Sequence, residues 1–398
     1  MIPFLKPKVP EMELARDVLD QAFGHRSAEL KGVFAPYRIR PLGAHLDHQG
    51  GPVFSMNTAF GIHGVWRLNQ TREVRVLSQG MGRVVIPVDQ SIQRLNDGFD
   101  YLRATLSQVL ARGVNLPGVD VYLQGELTAC GLSSSAAVTL LYQEILLQET
   151  RLALSVEERL DWAVACENHF IGVQSGIGDQ TSILYGKESE AVLYDCRQRW
   201  ATNICEQSPW TFLVLNSGQS AALSGSTSFN DRVAESYAAA EELGRLSNDL
   251  SDQPKLSDYS EPSFRKHCAG MTSISQRRGE HFFTEIERVR LGVEAWKADD
   301  KRLFGQLMNA SCQSSVLNYE TGTPALIELV GLLQSQRGVL GARFSGAGTR
   351  GCVVALIEPG EVRPILEALP SRYSEELASL MSRQWAFTTQ AHRGLSLL

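Results

Sequence analysis

Residues 35–51, APYRIRPLGAHLDHQGG, constrain this chain more than any other stretch, because they ask for a strand that ends in a polar turn. Side chains alternate between the two faces of a strand, so Phe34, Pro36, Arg38 and Arg40 share one face and Val33, Ala35, Tyr37 and Ile39 the other. At two-residue spacing Arg38 and Arg40 point the same way, roughly 7 Å apart. Pro41 and Gly43 are expected to stop the strand, and a loop then carries His45, Asp47 and His48 away. A strand that delivers two cations to one spot reads as a site for an anion. The plainer reading is a solvated strand end with a polar turn.

At 398 residues the chain is too long for one ordinary core, which suggests two domains. The composition is globular, with 43% hydrophobic and 21% charged residues. A net charge of −6 argues against a nucleic-acid surface but leaves room for local arginines to hold a small anion. Seven cysteines (130, 166, 196, 205, 268, 312 and 352) are dispersed without a CxxC pair. That pattern suggests reduced thiols in the cytoplasm rather than a disulfide framework or a zinc site. The N-terminal segment lacks the apolar core of a signal peptide, and no apolar run approaches a membrane span.

Hydrophobic periodicity organises the rest. Residues 11–30 have helical spacing, with Leu14, Val18, Leu19 and Phe23 as the apolar stripe. Strand signals dominate 33–90, followed by a helix near 98–113 and the strand VDVYLQ. Helices are expected at 134–149 and 156–171, the second opened by a capping box of Ser155 and Glu158. Strands near 191–196 and 211–217 flank a boundary near 205, dividing the chain into lobes 1–205 and 206–398. The second half adds helices at 230–246, 282–297, 300–312 and 324–335, with a hairpin over ARFSGAGTRGCVVALI. The polar stretch 247–263 reads as an exposed loop. The fold class is α+β in two lobes.

Several motifs carry chemistry, each beside an ordinary alternative. GLSSSAAV, 131–138, opens a helix, where free backbone N–H groups and the helix dipole favour an anion. A simple N-cap needs one serine, whereas Ser133, Ser134 and Ser135 supply three, which points to phosphate. GxxxxGK[ST] does not occur, so this is not the common P-loop. Glu167 falls in the buried stripe of helix 156–171, where an unpaired carboxylate costs several kcal/mol. Its partner is either Mg²⁺ or an arginine. Asp179, in SGIGDQTS, is an N-cap or a catalyst beside glycines that let a ligand approach. GAGTRG, 346–351, fits GxGxxG, but a strand follows it instead of a helix. The dinucleotide reading therefore fails, leaving a glycine hairpin that is structural or pressed against a ligand. His45, Asp47 and His48 alone do not complete a zinc site.

Together these motifs resemble the GHMP small-molecule kinases, and within them the galactokinase family. APYRIRPLGAHLDHQGG is similar to the galactokinase signature, GLSSSAA to the phosphate loop, SGIGDQ to the catalytic-aspartate segment and GARFSGAGTRGC to the third motif. HFFTEIERV and LFGQLMNAS extend the resemblance over nearly the whole chain. The resemblance implies ATP and a sugar in a cleft between two lobes, with Mg²⁺ on the phosphates. It implies that Asp179 is the base and Arg38 the arginine beside it. Gly131, Leu132, Ser133, Ser134, Ser135 and Ala136 would surround the phosphates, with Ser135 and Glu167 as magnesium contacts. His45 and Asp47 would contact sugar hydroxyls, with Gly178 and Phe229 nearby, Phe229 near where the family has a tyrosine.

Departures from the galactokinase pattern GRVNLIGEHTDYNGG sharpen the substrate. This chain has Arg40, Pro41, Ala44 and His48 where that pattern has Asn, Leu, Glu and Tyr. The missing glutamate would contact the sugar 6-hydroxyl. Two like charges ~4 Å apart repel by about 4 kcal/mol at an effective dielectric of 20, so a glutamate there would reject a C6 carboxylate and alanine would not. Arg40 or His48 would then pair with that carboxylate. RxxPLGAHxDHQGG resembles galacturonokinases, which implies phosphorylation of D-galacturonic acid at the anomeric hydroxyl. Galactose as substrate, or a non-catalytic sugar sensor, are the alternatives. LTACG before the serine loop and Thr349-Arg350 in the third motif also depart from the family. The expected assembly is a monomer or weak homodimer.

Overall fold

The computed structural model describes residues 2–125, 131–219, 227–249, 251–349 and 351–398. Helix α1 (Met12–Phe23) ends at Gly24, well short of residue 30, because Gly24 takes a positive φ of 87°. Ala15 and Leu19 bury its inner face while Leu14 is exposed, so the apolar stripe is narrower than the spacing suggests. Strand β1 (Lys31–Leu42) runs through Pro41, since a bulge between Ile39 and Leu42 removes the need for its N–H. It pairs antiparallel with the long β2 (Pro52–Leu68), which is followed by β3 (Glu73–Ser78) and β4 (Gly82–Pro87). Helix α2 (Asp100–Leu110) leads to β5 (Val119–Gly125), which lies antiparallel to β2 and parallel to β3.

Helix α3 (Ser134–Thr150) is apolar around most of its circumference, with Leu140, Leu141, Ile145 and Leu146 all buried. Such a helix belongs inside a core, which anchors its N-terminus rigidly. Helix α4 (Val156–Ala165) starts at the expected capping box but stops six residues early. Residues Cys166–Ile171 instead form a π-helical turn, which re-aims Glu167 toward the interior. Helix α5 (Gly178–Tyr185) and the hairpin β6 (Glu190–Asp195) and β7 (Trp200–Cys205) complete this half. The strand at 200–205 has no clear apolar alternation and escaped the sequence reading.

The chain then changes sheets at β8 (Thr211–Asn216). Helices α6 (Thr227–Ser247), α7 (Glu261–His267), α8 (Ser273–Lys297), α9 (Lys301–Leu317) and α10 (Pro324–Gln334) follow. Stretch 247–263 is more than an exposed loop: Leu256 and Tyr259 are buried, and the Leu256 N–H donates to Gln49 Oε1 at 3.0 Å. Strands β9 (Val339–Phe344) and β10 (Cys352–Ile357) form the expected hairpin. After α11 (Val362–Ala368) and α12 (Glu375–Ser379), β11 (Ala386–Thr389) pairs with β8, while β12 (Ser396–Leu397) returns to β1.

The result is an eight-stranded sheet containing β1–β7 and β12, and a four-stranded sheet ordered β11-β8-β10-β9. One hydrophobic core bridges them: Trp210, just before β8, stacks on Trp296 of α8 at 4.2 Å, and Trp296 meets Phe54 of β2 at 5.2 Å. Burying such aromatic side chains stabilises by about 1.5–3 kcal/mol or more each. This seam holds α8 and α9 firmly against the β1–β2 edge, where the site lies. Among the described residues no helix is long and apolar enough to cross a membrane, and the six described cysteines are free thiols. Cys130 lies outside the described residues, as do Glu126–Ala129 and Arg350.

Candidate active site

Two guanidiniums converge on one carboxylate. Arg38 Nε lies 2.7 Å from Asp179 Oδ1 and its Nη2 2.5 Å from Oδ2, a two-point pair. Arg40 Nη2 reaches Oδ1 at 2.6 Å, and its Nη1 lies 3.4 Å from Asp47 Oδ2. The shared strand face of Arg38 and Arg40 therefore exists, and its target is Asp179 in the first turn of α5. Asp179 is not the N-cap of α5, which is Ile177. Gly178 is required by this geometry, since a Cβ there would sit 2.3 Å from Arg40 Nη2. The Gly178 N–H is already donated to Asp47 Oδ2 at 3.1 Å.

The serine loop arrives from a third element. Ser133 caps α3 in the left-handed region (φ 64°) and makes no side-chain capping bond. Its hydroxyl instead donates to Asp179 Oδ2 at 2.6 Å, which sets aside the ordinary N-cap reading. Gly131 O accepts from Arg38 Nη1 at 3.1 Å and from the Ser345 hydroxyl at 2.9 Å. Gly346, with φ 72°, is packed so closely that a Cβ would come 3.0 Å from Gly131 O. The third motif is thus pressed against the serine loop. Leu132 and Ala136 are fully buried below it, and Leu132 O accepts the Arg38 backbone N–H at 3.1 Å.

Electrostatics follow from this packing. Burial pushes the Asp179 carboxyl up, but the charges of Arg38 and Arg40 and the Ser133 hydroxyl outweigh it and hold it well below the carboxylate range. Glu167 shows the opposite balance. It is buried, and burial followed by the Asp179 charge raises its pKa, against hydroxyls of Ser175 and Ser135 and the Gln180 amide. Among the described residues no Lys or Arg pairs with it. The arginine partner offered by the sequence is absent. Glu167 and the Ser135 hydroxyl are oxygens that could hold a hard divalent ion, and among the described residues no group of three or more His, Cys, Asp or Glu side chains gathers as a metal site.

These groups line one cleft with a cavity of about 360 Å³. Arg38, Arg40, Ala44, His45, Asp47, His48 and Phe229 line it together with Gly131 and Ser133–Ser135. Ile62, Met81, Tyr101, Leu123, Val138 and Tyr142 also line it, an apolar set that strand and helix periodicity alone did not mark as a site. Sequence reading also missed Tyr319, on which the His45 ring stacks at 4.0 Å and whose hydroxyl lies 3.1 Å from His48 Nε2. Burial lowers the pKa of His48 to about 4 and holds that of His45 well below the ordinary imidazole value, so both are neutral at pH 7. His45 Nε2, His48 Nδ1 and Arg40 Nε are buried without a protein partner, leaving polar atoms for a ligand.

The GHMP kinases N terminal domain matches residues 100–187 and the GHMP kinases C terminal domain residues 293–375. A galacturonokinase of Arabidopsis thaliana is 32% identical over 393 residues, covering 93% of this chain and 93% of its own. A galactokinase of Enterococcus faecalis is 30% identical over 374 residues, covering 92% of this chain and 95% of its own. The Lactococcus lactis galactokinase complexed with galactose superposes with a TM-score of 0.85 at 27% identity, covering 97% of this chain and 99% of that one. The Methanococcus jannaschii mevalonate kinase shares the fold, with a TM-score of 0.65 at 16% identity. The chain belongs to the galactokinase family of the GHMP kinases, a family of ATP-dependent sugar kinases.

Proposed function

We propose that this protein transfers the γ-phosphoryl group of ATP to the anomeric hydroxyl of D-galacturonic acid, giving α-D-galacturonic acid 1-phosphate. The observation that carries the reading is Ala44, a cleft-lining methyl beside cations, where an acidic side chain would repel a C6 carboxylate. The 32% identity with a galacturonokinase supports it.

In this reading the two lobes, 1–205 and 206–398, hold ATP and sugar in their cleft. Phosphates lie along Gly131–Ala136, with the base against the apolar set. Ser135 and Glu167 would hold Mg²⁺, which neutralises charge on the phosphates. Asp47, His45 and Phe229 position the sugar ring, with Gly178 keeping the backbone close. Asp179 accepts a hydrogen bond from the C1 hydroxyl, whose oxygen forms a bond to the γ-phosphorus as the bond to ADP breaks. A carboxylate held so strongly acidic is a weak base, so the proton moves late, once the forming O–P bond has acidified the hydroxyl. Arg38 steadies the charge that develops on the transferring group. The dispersed thiols fit a reducing cytoplasm.

Galactose is the second reading, favoured by the overall likeness to a galactokinase complexed with galactose. Measuring kcat/KM for D-galacturonate and D-galactose separates the two. Clear preference for galactose ends the uronate assignment, and binding of sugar with no sugar-dependent ADP release would point to a non-catalytic binder.

A further inference from the structure

Charges around Ala44 do not balance. The Glu285 carboxylate (α8) accepts from the Gly43 and Ala44 N–H groups at 2.8 and 3.3 Å and from the Ser311 hydroxyl at 2.6 Å. Arg288 Nε lies 2.6 Å from its Oε2, and Arg343 Nη1 lies 3.8 Å from its Oε1. One carboxylate therefore serves two guanidiniums. His281, whose Nε2 lies 2.9 Å from Ala44 O, is neutral at pH 7, as burial lowers its pKa to about 4. The neighbouring Arg40 is already balanced by Asp47 and Asp179.

Arg343 is the cation left over. It is 1% exposed, and its remaining contacts are the neutral oxygens of Phe344, Ser311 and Ser315. Burial pushes its pKa down, against the attraction of Glu285. Arg343 and Ala44 both line the cleft, and the Glu285 oxygen that accepts from the Ala44 N–H faces Arg343. A guanidinium at a ligand cleft with half a counter-ion is poised for an anion that the ligand brings. The two groups nearer in sequence are less suited to a carboxylate: Arg40 directs both terminal nitrogens at carboxylates and keeps only Nε free, and His48 is neutral with Nε2 on Tyr319.

We propose that Arg343 reads the C6 carboxylate of the sugar acid, and that the substrate supplies the negative charge that the Ala44 methyl does not. The inference rests on the galacturonate reading above. It makes Arg343 a specificity residue, separate from the phosphoryl-transfer set of Asp179, Arg38 and Glu167.

Calorimetric Kd values for D-galacturonate and D-galactose on the full chain test it, in the wild type, Arg343→Gln and Ala44→Glu. The preference for galacturonate should drop at least tenfold in both variants, and the Arg343→Lys chain should keep part of it. An unchanged preference in a folded Arg343→Gln chain overturns the proposal. Should Arg343→Gln fail to fold, judged by its melting temperature, Arg343→Lys decides: a preference that falls but is kept in part supports the proposal, and an unchanged preference overturns it. A wild type that binds both sugars alike, or does not phosphorylate galacturonate, sinks the substrate reading itself and Arg343's role with it. Turnover of galacturonate with an unchanged ratio in the Arg343 variants sinks Arg343 alone.

Discussion

Arg40 Nη2 lies 2.6 Å from Asp179 Oδ1, on the same oxygen that Arg38 Nε holds at 2.7 Å. The carboxylate at the centre of the cleft thus carries two cations from alternate positions of one strand. This pairing decides the protonation state of Asp179 and, through it, the timing of proton transfer.

Replacing Arg40 by Asn removes one of the two cations. The Asp179 pKa then rises, and the acid limb of kcat/KM for the preferred sugar moves to higher pH. Turnover at pH 7 should fall by about tenfold or more, short of the roughly 10²–10³-fold lost with a donor aimed at the reacting oxygen itself. A pH–rate profile whose acid limb does not move would show that Arg40 leaves Asp179 untouched.

Asp179→Asn should lower kcat by about 10²–10⁴-fold, as for loss of a general base, while ATP affinity by calorimetry stays within a few-fold. The native carboxylate also links pH to stability. Its folded pKa lies below the ordinary 3.8, so its stabilisation is present above that value and is lost as pH falls through the folded one. Thermal melts from pH 6 down to pH 2 should therefore show a steeper acid loss in the wild type than in Asp179→Asn. Parallel losses would mean that the pair adds no stability.

Glu167 behaves with the opposite sign. Its folded pKa is raised, so ionised Glu167 destabilises the fold, increasingly as pH rises through that value. Glu167→Gln should melt on the order of 1–2 °C higher than the wild type at pH 7 without nucleotide. The same variant should need about tenfold more Mg²⁺ for half-maximal turnover. A lower melting temperature together with an unaltered Mg²⁺ titration would make Glu167 a structural residue.

Gly178→Ala places a methyl 2.3 Å from Arg40 Nη2. The arginine is the flexible partner, so it gives way and the Asp179 contact is lost rather than the helix. Activity should fall about tenfold and the melting temperature should drop, since Gly178 is buried and the displaced arginine gives up its ion pair with Asp179. Circular dichroism melts beside initial rates would check both halves, and undiminished turnover would contradict the crowding.

Periodicity and motif chemistry determined a good deal by themselves. Alternation along 33–40 put Arg38 and Arg40 on one face, and three serines at a helix start marked an anion site. A strand after GAGTRG ruled out a dinucleotide fold. Local rules suffice there because side-chain direction and unpaired N–H groups depend only on the nearest few residues. The same rules overran α1 to residue 30 and carried α4 through the turn where Glu167 sits, since a π turn leaves no local mark.

What joins distant segments was decided only by the tertiary structure. Asp179 looked like an N-cap until β1 laid two guanidiniums on it, and Ser133 looked like a cap until its hydroxyl turned to the same carboxylate. Glu285 and Arg343 lie in the stretches HFFTEIERV and GARFSGAGTRGC, on α8 and β9, and Tyr319 just past α9, but nothing in those stretches says that they meet beside the cleft that Arg343 lines. Their roles come from charge balance, which is summed over everything within a few ångströms regardless of position along the chain. The sequence named the residues around Ala44, but only the packed cleft shows Arg343 there with half a counter-ion.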